Sequence, residues 1–361
     1  MKRRVTLCLC DSVTFKNMIK SDIRGLSHAE LTQYLQSIGE PAFRAAQIFD
    51  WLYKKCVDSF AEMKNLPAPL RQRLQDDFVF LPQSFVTEAK STDKTKKFLF
   101  TLGDREKVET VLIPTAERTT VCVSTQAGCK FGCRFCASGI GGWTRNLTSA
   151  EIVSQILHAK RSAQAVPLTN IVFMGVGEPL DNYDNLLKAI RIMNSAEGMN
   201  IAARRITIST CGVIPKIQKL AQEGMQLELA ISLHGYSNES RNVLMPVNRK
   251  YPLKDLIAAC REYINATNRQ ITFEYILIKD VTCSDMAAQE LGELLKGMLC
   301  KINLIPYNKV AEFEHERPSV KDMHAFRDRL AEYGVLAMIR TPRGPDVAAA
   351  CGQLRHSAKK S

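Results

Sequence analysis

The sequence is poor in histidine and in aromatic residues. Only 2 of its 361 residues are tryptophan and 6 are histidine, and aromatic residues together make up 7%. Few histidines leave few candidates for a zinc site built from histidine pairs. The apolar run in the opening segment MKRRVTLCLCD stops at Asp11, too early for a secretion signal or a membrane span. We therefore expect a cytoplasmic protein that has no membrane partner.

Cysteine, by contrast, is plentiful, with 12 residues scattered along the chain. A chain of this length buries enough apolar surface to fold without disulfides. We expect a reducing compartment, which would also preserve a labile metal cluster. The thiols that we interpret as small packing residues are Cys56, Cys211, Cys260, Cys283 and Cys300.

The chain carries a formal net charge of +12 and has a pI near 9.1. A basic surface attracts polyanions, which makes nucleic acid the leading partner. Charge alone leaves a second interpretation open, in which the basic residues only keep the protein soluble.

The first 84 residues are predicted to form a leader and a small helical accessory domain. Residues 1–20 have no periodic pattern, and Cys8 and Cys10 within them have no assigned role. In residues 21–84, the segments SHAELTQYLQSIG, PAFRAAQIFDWLYKKC and PAPLRQRLQDDF have apolar residues at helical spacing after a Ser or Pro. We expect Phe43, Trp51 and Tyr53 to form the core of this domain. Some of its basic residues would contact RNA phosphates: Arg44, Lys54, Lys55, Lys64, Arg71 and Arg73.

Residues 85–114 change from a helical to an alternating pattern. TKKFLFTLGD and KVETVLIP are predicted to be two strands joined by a Gly-Asp turn. Lys90, Lys94, Lys96 and Lys97 lie on or before the first strand, and Glu109 lies in the second.

From residue 115 to 341 the chain alternates uncharged, β-branched runs with helical segments. Six units can be counted, whose strands are TTVCVST, TNIVFMG, RITIST, ELAISLH, TFEYILI and INLIPY. Such alternation is typical of a parallel sheet with helices outside it. The predicted fold class is α/β, a partial (β/α)6 barrel with the helical accessory domain before it. A last strand, LAMIRTPRG, leads to a tail at residues 342–361.

The segment QAGCKFGCRFCASGIGGWTRNL places Cys129, Cys133 and Cys136 in a C-x3-C-x2-C pattern. Thiolates are soft ligands that select zinc, copper or iron–sulfur clusters. A zinc ribbon would need a second C-x2-C or a histidine pair, and neither follows. The pattern therefore favours a 4Fe-4S cluster in which one iron lacks a protein ligand. Unconnected thiols or a structural metal site are the alternative.

Polar residues and glycines follow the predicted strands at their carboxyl ends, where the loops of α/β barrels converge. In the segment GVGEP, Gly177 permits close backbone approach and Glu178 can accept hydrogen bonds from an ammonium group. For His234, a histidine satisfied within a turn is the alternative. The neutral polar residues suited to bind a ribose or an adenine are Ser209, Ser232, His234 and Asn308.

The tail contains DVAAACGQL, in which small residues leave the Cys351 sulfur unshielded and its backbone mobile. Cys122 is a second cysteine near the predicted site, because it lies on the first barrel strand, seven residues before Cys129. Ordinary packing is the alternative for both thiols.

Taken together, these motifs resemble the RlmN/Cfr family of radical S-adenosylmethionine (SAM) RNA methyltransferases. The resemblance covers the chain from the helical domain to Leu354, and it implies a radical SAM barrel, a 4Fe-4S cluster and SAM as cofactors. The leader departs from the pattern. The segments that carry the resemblance are VETVLIP, CVSTQAGCKFGCRFCASGIGGWTRNL, FMGVGEPLDNYDN, RRITISTCGVIP, LAISLH, LMPVNRKYP, INLIPYN and DVAAACGQL.

The resemblance also implies residue roles. The three cysteines of the C-x3-C-x2-C pattern would hold the cluster. Cys351 would take a methyl group from a first SAM, and a radical from a second SAM would remove a hydrogen from it. The methylene carbon would add to adenine, and Cys122 would release the link by forming a disulfide with Cys351. Glu109 would be the proton acceptor. The expected SAM contacts are Gly177, Glu178, Ser209, Ser232, Leu233, His234 and Asn308.

The family contains two specificities. RlmN members methylate C2 of an adenine in 23S rRNA and tRNA, whereas Cfr members methylate C8 of the same rRNA nucleotide. Pro179 after Glu178 is usual in RlmN, so we predict C2 methylation of 23S rRNA, with tRNA as a second expected substrate. C8 methylation stays open. We also expect a monomer and an electron donor such as flavodoxin or ferredoxin.

Two rival interpretations belong to other classes. One is a non-catalytic RNA-binding protein whose metal is structural. The other is a different radical SAM reaction, such as activation of a glycyl-radical enzyme or cyclisation of a peptide.

Overall fold

The computed structural model describes residues 20–81, 84–163, 167–310 and 312–354, without the side chains of residues 84–86. The leader segment that contains Cys8 and Cys10 lies outside the described residues.

The N-terminal part is a small helical unit closed by two short parallel strands. Its elements are β1 (Ser21–Asp22), α1 (His28–Ser37), α2 (Phe43–Phe49), α3 (Ala68–Asp77) and β2 (Phe78–Val79). Helix α2 continues into a π-helical turn over Asp50–Lys54. The unit packs on the barrel, where Lys160 Nζ donates to the Tyr53 carbonyl at 2.7 Å.

Local signals begin these helices as the sequence predicts. The Ser27 hydroxyl accepts from the Glu30 amide at 3.2 Å, and the Glu30 carboxylate accepts from the Ser27 amide at 2.8 Å. This reciprocal capping satisfies two backbone donors at the start of α1. Tyr53 is fully buried, as predicted, but the prediction for Phe43 is wrong. As the first residue of α2, Phe43 points to solvent and is 57% exposed beside the Arg44 guanidinium.

A ten-stranded open sheet forms the rest of the protein, and a short hairpin stands beside it. The strands of the large sheet follow the spatial order β14-β13-β12-β11-β10-β9-β6-β5-β4-β3. Strand β6 and strands β9 to β14 run parallel, and β3 to β5 extend the sheet with antiparallel pairing. The strands are β3 (Ser84–Lys90), β4 (Lys96–Thr101), β5 (Lys107–Pro114), β6 (Thr119–Cys122), β7 (Gln126–Gly128), β8 (Trp143–Asn146), β9 (Leu168–Phe173), β10 (Ile206–Thr210), β11 (Glu228–Ser232), β12 (Ile271–Leu277), β13 (Cys300–Pro306) and β14 (Leu336–Ile339).

Helices alternate with the parallel strands along the chain. They are α4 (Ser149–Ser162), α5 (Tyr183–Asn194), α6 (Ile214–Ala221), α7 (Asn238–Leu244), α8 (Leu253–Thr267), α9 (Asp285–Leu295) and α10 (Val320–Glu332). All six predicted barrel strands are present, which confirms the α/β class, and the predicted last strand, β14, is a seventh parallel strand of the sheet. The sequence reading did not separate β3 or α7, and it did not foresee the β7–β8 hairpin. No described helix is both long enough and apolar enough to cross a lipid bilayer.

Candidate active site

The carboxyl ends of the parallel strands surround an open cavity of about 150 Å³. Loops after parallel strands emerge at one end of a barrel, so residues distant in sequence meet there. Nine residues singled out from the sequence line this cavity: Cys129, Cys133, Cys136, Gly177, Glu178, Ser209, Ser232, His234 and Cys351.

The β7–β8 hairpin presents the loop that carries the three cysteines. The Cys129 amide donates to the Gly142 carbonyl at 2.9 Å, and the Cys136 amide donates to the Cys133 carbonyl at 3.1 Å. Gly128 has a φ of +80°, and a Cβ there would stand 2.0 Å from the Gly142 carbonyl oxygen. Glycine is therefore required where the two ends of the loop come together.

The three loop thiols line the same cavity. Burial, with the neighbouring thiols, raises the pKa of Cys129 to about 12 and that of Cys133 well above its usual range. Within the described part of the chain, no three histidine, cysteine or acidic side chains are grouped to ligate one ion. A 4Fe-4S cluster attaches its cysteines at separate corners, and three cysteines of one loop that line the same cavity fit that arrangement.

Glu178 lies at the wall beside the cysteine loop. Burial raises the pKa of its carboxyl, while hydrogen bonds from the Cys211 amide at 2.7 Å and the Leu180 amide at 3.0 Å oppose that rise. These hydrogen bonds fix the Glu178 carboxylate in the cavity wall. The Glu178 amide donates to Gln126 Oε1 at 2.8 Å.

His234 sits in a left-handed turn after β11, with a φ of +50°. Its Nδ1 accepts from the Ile276 amide at 3.0 Å, which places the ring proton on Nε2. Burial and the nearby Arg241 cation lower the pKa of His234 to about 3. The ring is therefore neutral at physiological pH, and it is both satisfied within the turn and part of the cavity wall.

Arg241 on α7 is fully buried behind this wall. Its guanidinium donates to the Leu233 carbonyl at 3.0 Å, the Cys211 carbonyl at 2.7 Å and Asn248 Oδ1 at 2.9 Å. It thus ties together the loops that follow β10 and β11. The sequence reading missed Arg241, because the seven-residue helix that carries it has no apolar period to mark it.

The tail that carries Cys351 is anchored on two sides. On one side the Ser91 hydroxyl donates to the Asp346 carboxylate at 2.6 Å. On the other, the Ala137 amide donates to the Gly352 carbonyl at 2.7 Å, and Ser138 Oγ donates to the Leu354 carbonyl at 2.8 Å. Hydrogen bonds therefore hold the tail on both sides of Cys351. The mobility expected for its backbone stays a prediction.

Cys122 lies close enough to Cys351 for the two thiols to interact electrostatically. Burial and the Cys351 thiol raise the pKa of Cys122 to about 12. Cys351 keeps an exposed surface, yet the protein around it raises its thiol pKa, and the Arg340 cation opposes this. Cys122 packs with Val111, Ala349 and other apolar residues of β5 and the tail.

Like Cys122, three further predicted residues do not line the cavity. Glu109 pairs with Lys97 on the neighbouring strand at 3.1 Å. Leu233 is buried in the core, with its amide bonded to the Glu274 carbonyl at 3.0 Å. Asn308 Nδ2 donates to the Cys351 carbonyl at 3.2 Å, so Asn308 contacts the tail. Their proposed roles stay predictions.

Glu274 on β12 lines the cavity and was also missed. A signal for it existed, since it is the one charged residue in the apolar run TFEYILI. A charged side chain in a strand that is buried along its whole length calls for a specific partner.

Comparison with known proteins agrees with this geometry. Residues 123–288 match the radical SAM superfamily, and residues 21–79 match the ribosomal RNA large subunit methyltransferase N-terminal domain. A relative from Clostridium perfringens (strain SM101 / Type A), named "Probable dual-specificity RNA methyltransferase RlmN", is 46% identical over 92% of this chain and 96% of its own length. A relative of the same name from Desulfitobacterium hafniense (strain Y51) is 47% identical over 94% of this chain and 97% of its own.

The fold has an experimental counterpart. The crystal structure of a radical SAM methyltransferase from Sphaerobacter thermophilus superposes with a TM-score of 0.89 at 46% identity, covering 92% of this chain and 99% of that one. The rival interpretation of a non-catalytic RNA-binding protein does not fit such relatives. The chain belongs to the RlmN family and is a radical SAM RNA methyltransferase.

Proposed function

We propose that this enzyme methylates C2 of an adenine in 23S rRNA, and also in tRNA, through an S-methylcysteine at Cys351. One observation carries the proposal: Cys351 shares a cavity with the three loop cysteines and with Glu178. A methyl group accepted by that sulfur stays beside the place where SAM would be cleaved. Each turnover would use two SAM molecules, one as methyl donor and one as radical source.

The chemistry of the target explains why the methyl group would pass through a cysteine. C2 of adenine lies between two ring nitrogens and is electron-poor, so it cannot act as a nucleophile on the methyl group of SAM. A thioether methyl that has lost a hydrogen atom is a carbon radical that can add there. The cluster held by Cys129, Cys133 and Cys136 would supply the electron that cleaves SAM.

The residues of this chain would then have distinct tasks. Glu178 would accept hydrogen bonds from the SAM ammonium group, and Ser209, Ser232 and the neutral His234 would contact the nucleoside. Roles of Gly177, Leu233 and Asn308 in SAM binding rest on the family pattern.

Release of the methylated base would use the two cysteines and Glu109. Glu109 would accept the proton that leaves C2. The odd electron of the adduct formed at C2 would pass to the cluster. The Cys122 thiolate would then attack the Cys351 sulfur, so that a disulfide forms as the carbon–sulfur bond breaks and the CH2 group left on adenine takes up a proton to become methyl. Two electrons from an external reductant would restore both thiols.

The decisive experiment maps the product. Protein reconstituted anaerobically with iron and sulfide is given SAM, a reductant and either 23S rRNA fragments or tRNA, and the RNA is digested for mass spectrometry. We expect 2-methyladenosine, and a methyl group on the peptide that contains Cys351. Cys351→Ala should abolish both, whereas Cys283→Ala, which changes a cysteine outside the cavity lining, should leave both intact.

Two results of this experiment would contradict the proposed function. 8-Methyladenosine without 2-methyladenosine would replace C2 by C8, and an active protein without methylated Cys351 would exclude the cysteine route.

We further propose flavodoxin or ferredoxin as electron donor, a monomeric enzyme and a cytoplasmic location. The ten free cysteines of the described residues suit that reducing compartment.

A further inference from the structure

Glu274 is a buried acid in the cavity wall to which no role has yet been given. It is 4% exposed, and its Oε1 accepts from Asn303 Nδ2 at 2.8 Å. Within the described residues, its second carboxylate oxygen, Oε2, has no hydrogen-bond partner. A buried carboxylate oxygen without a donor is unfavourable, so the site is incomplete as it stands.

Arg340 places a positive charge beside this acid. Its guanidinium Nη1 lies 3.7 Å from Glu274 Oε1, and its positive charge opposes the rise in the pKa of Glu274 that burial causes. The 3.7 Å separation is too long for a hydrogen bond, so Arg340 balances the charge without satisfying the free oxygen. The missing partner is therefore a hydrogen-bond donor.

The position of Glu274 indicates what that donor belongs to. Glu178, the proposed contact of the SAM ammonium group, follows β9, and β12 lies three strands further along the sheet. Glu178 and Glu274 therefore belong to different walls of the same cavity. A SAM molecule whose ammonium group is bound by Glu178 would present another of its groups to Glu274.

Glu274 also lies near the reacting sulfur. Its negative charge is one of the groups that raise the pKa of the Cys351 thiol, after burial. Strand β12 pairs with β11 so that Glu274 stands level with Ser232, another residue of the cavity wall. A ligand held by Glu274 would therefore be held beside Cys351.

We propose that the Glu274 carboxylate, balanced by Arg340, binds a hydrogen-bond donor of an adenosine in this cavity. The donor is a ribose hydroxyl, and the adenosine is either that of SAM or the target nucleotide of the RNA. This inference rests on the proposed function, because it assumes that SAM and RNA meet in this cavity.

The first test measures binding rather than turnover. SAM dissociation constants are determined by equilibrium dialysis without reductant for the reconstituted wild type, Glu274→Gln and Glu290→Gln. Glu290 is an exposed acid on α9 and serves as the matched control. If SAM supplies the donor, Glu274→Gln should bind it about tenfold more weakly, because a hydrogen bond to a charged group is lost.

SAM analogues distinguish a direct contact from a structural role. A 2′-deoxy or a 3′-deoxy analogue should bind the wild type about tenfold more weakly than SAM. Glu274→Gln should then bind that analogue and SAM equally well, because the hydrogen bond is already missing. If Glu274 had only a structural role, Glu274→Gln would weaken the binding of SAM and of its analogues by the same factor.

A second measurement tests whether the adenosine is the target nucleotide of the RNA. If the target nucleotide supplies the donor, Glu274→Gln should bind SAM normally and raise the KM for RNA about tenfold. The double variant Glu274→Gln/Arg340→Gln leaves no buried unpaired charge, so it provides a folded reference if the single variant unfolds.

Wild-type SAM binding together with a wild-type KM for RNA in Glu274→Gln would overturn the inference. Equal weakening of SAM and both deoxy analogues, with an unchanged KM for RNA, would also overturn it. Failure of the wild type itself to bind SAM or methylate RNA would instead count against the proposed function.

Discussion

Lys97 connects Glu109 to the tail that carries Cys351. Its Nζ lies 3.1 Å from Glu109 Oε1 and donates to the Ala348 carbonyl at 3.3 Å. Lys97 lies on β4 and Glu109 on the neighbouring strand β5, where Glu109 stands opposite Leu99 of β4 in the strand register. One ammonium group thus holds both the proposed proton acceptor and the backbone three residues before Cys351.

Lys97→Met should slow RNA methylation about tenfold at saturating RNA, because Glu109 and the tail lose a shared charge-assisted hydrogen bond. SAM binding should remain unchanged, since Lys97 does not line the cavity. Lys97→Arg should recover part of the rate. The measurement is kcat and KM for RNA, with SAM binding determined separately.

The control for this prediction is Lys90→Met, which removes an exposed lysine from the neighbouring strand β3. Lys90→Met removes the same positive charge as Lys97→Met, but it breaks no contact with Glu109 or Ala348. Equal losses of kcat in Lys90→Met and Lys97→Met would point to the basic surface as a whole and would contradict the specific role of Lys97.

The anchor of the tail on the β3–β4 turn can be tested through backbone exchange. Asp346 accepts from Ser91 Oγ at 2.6 Å and from the Thr92 amide at 3.2 Å. Asp346→Ala should raise the amide hydrogen-exchange rates of residues 344–352 about tenfold, because two bonds that hold the segment are lost. Asp184→Ala, which removes a mostly exposed acid on α5, should leave those rates unchanged. Unchanged exchange in Asp346→Ala would show that other contacts hold the tail.

Alanine substitutions at two glycines distinguish the cost of backbone strain from the cost of steric conflict. Gly177 and Gly224 both have positive φ, but a Cβ on Gly177 would stand 2.5 Å from Gln126 Cβ, while none of the described atoms lies within 4 Å of one on Gly224. Gly224→Ala should cost about 1 kcal/mol in the free energy of unfolding. Gly177→Ala should cost more and weaken SAM binding, because Gln126 holds the Glu178 amide. Equal effects, measured by urea unfolding and dialysis, would contradict this.

The repeated units and the cysteine pattern were readable from sequence because they are local. A β-branched run, an apolar helical period and a C-x3-C-x2-C spacing each lie within about 20 residues. Arg241 and the Cys122–Cys351 relation depend on which loops meet after folding. Cys351 could be placed beside Cys122 only through the family resemblance, and Arg241 had no local signal. Glu274 could have been recognised as a charge within an apolar strand.

Arg241 should be essential for stability. Arg241→Met removes the donors of the Leu233 and Cys211 carbonyls and of Asn248 Oδ1 in a fully buried site. We expect a loss of about 3 kcal/mol or more in the free energy of unfolding. Arg241→Lys should also be destabilising, because one ammonium group cannot reproduce the guanidinium fork. Urea unfolding measures both, and the exposed Arg204→Met should stay within about 0.5 kcal/mol of wild type.

His234 should make the protein less stable as the pH falls. Its pKa is about 3 in the folded protein, below the ordinary value of 6.5, so below pH 6.5 the unfolded chain binds a proton that the folded protein does not. Between pH 7 and 5 this should cost about 2 kcal/mol of the free energy of unfolding.

His234→Asn should remove that contribution and keep the local structure. Asparagine tolerates the left-handed φ of this turn, and its side-chain oxygen can accept from the Ile276 amide as Nδ1 does. Urea unfolding at pH 7 and pH 5 should therefore give a smaller loss for the variant than for the wild type. Other groups that titrate in this range contribute equally to both proteins and cancel in the difference. Equal losses in the two proteins would mean that His234 takes up its proton in the folded state.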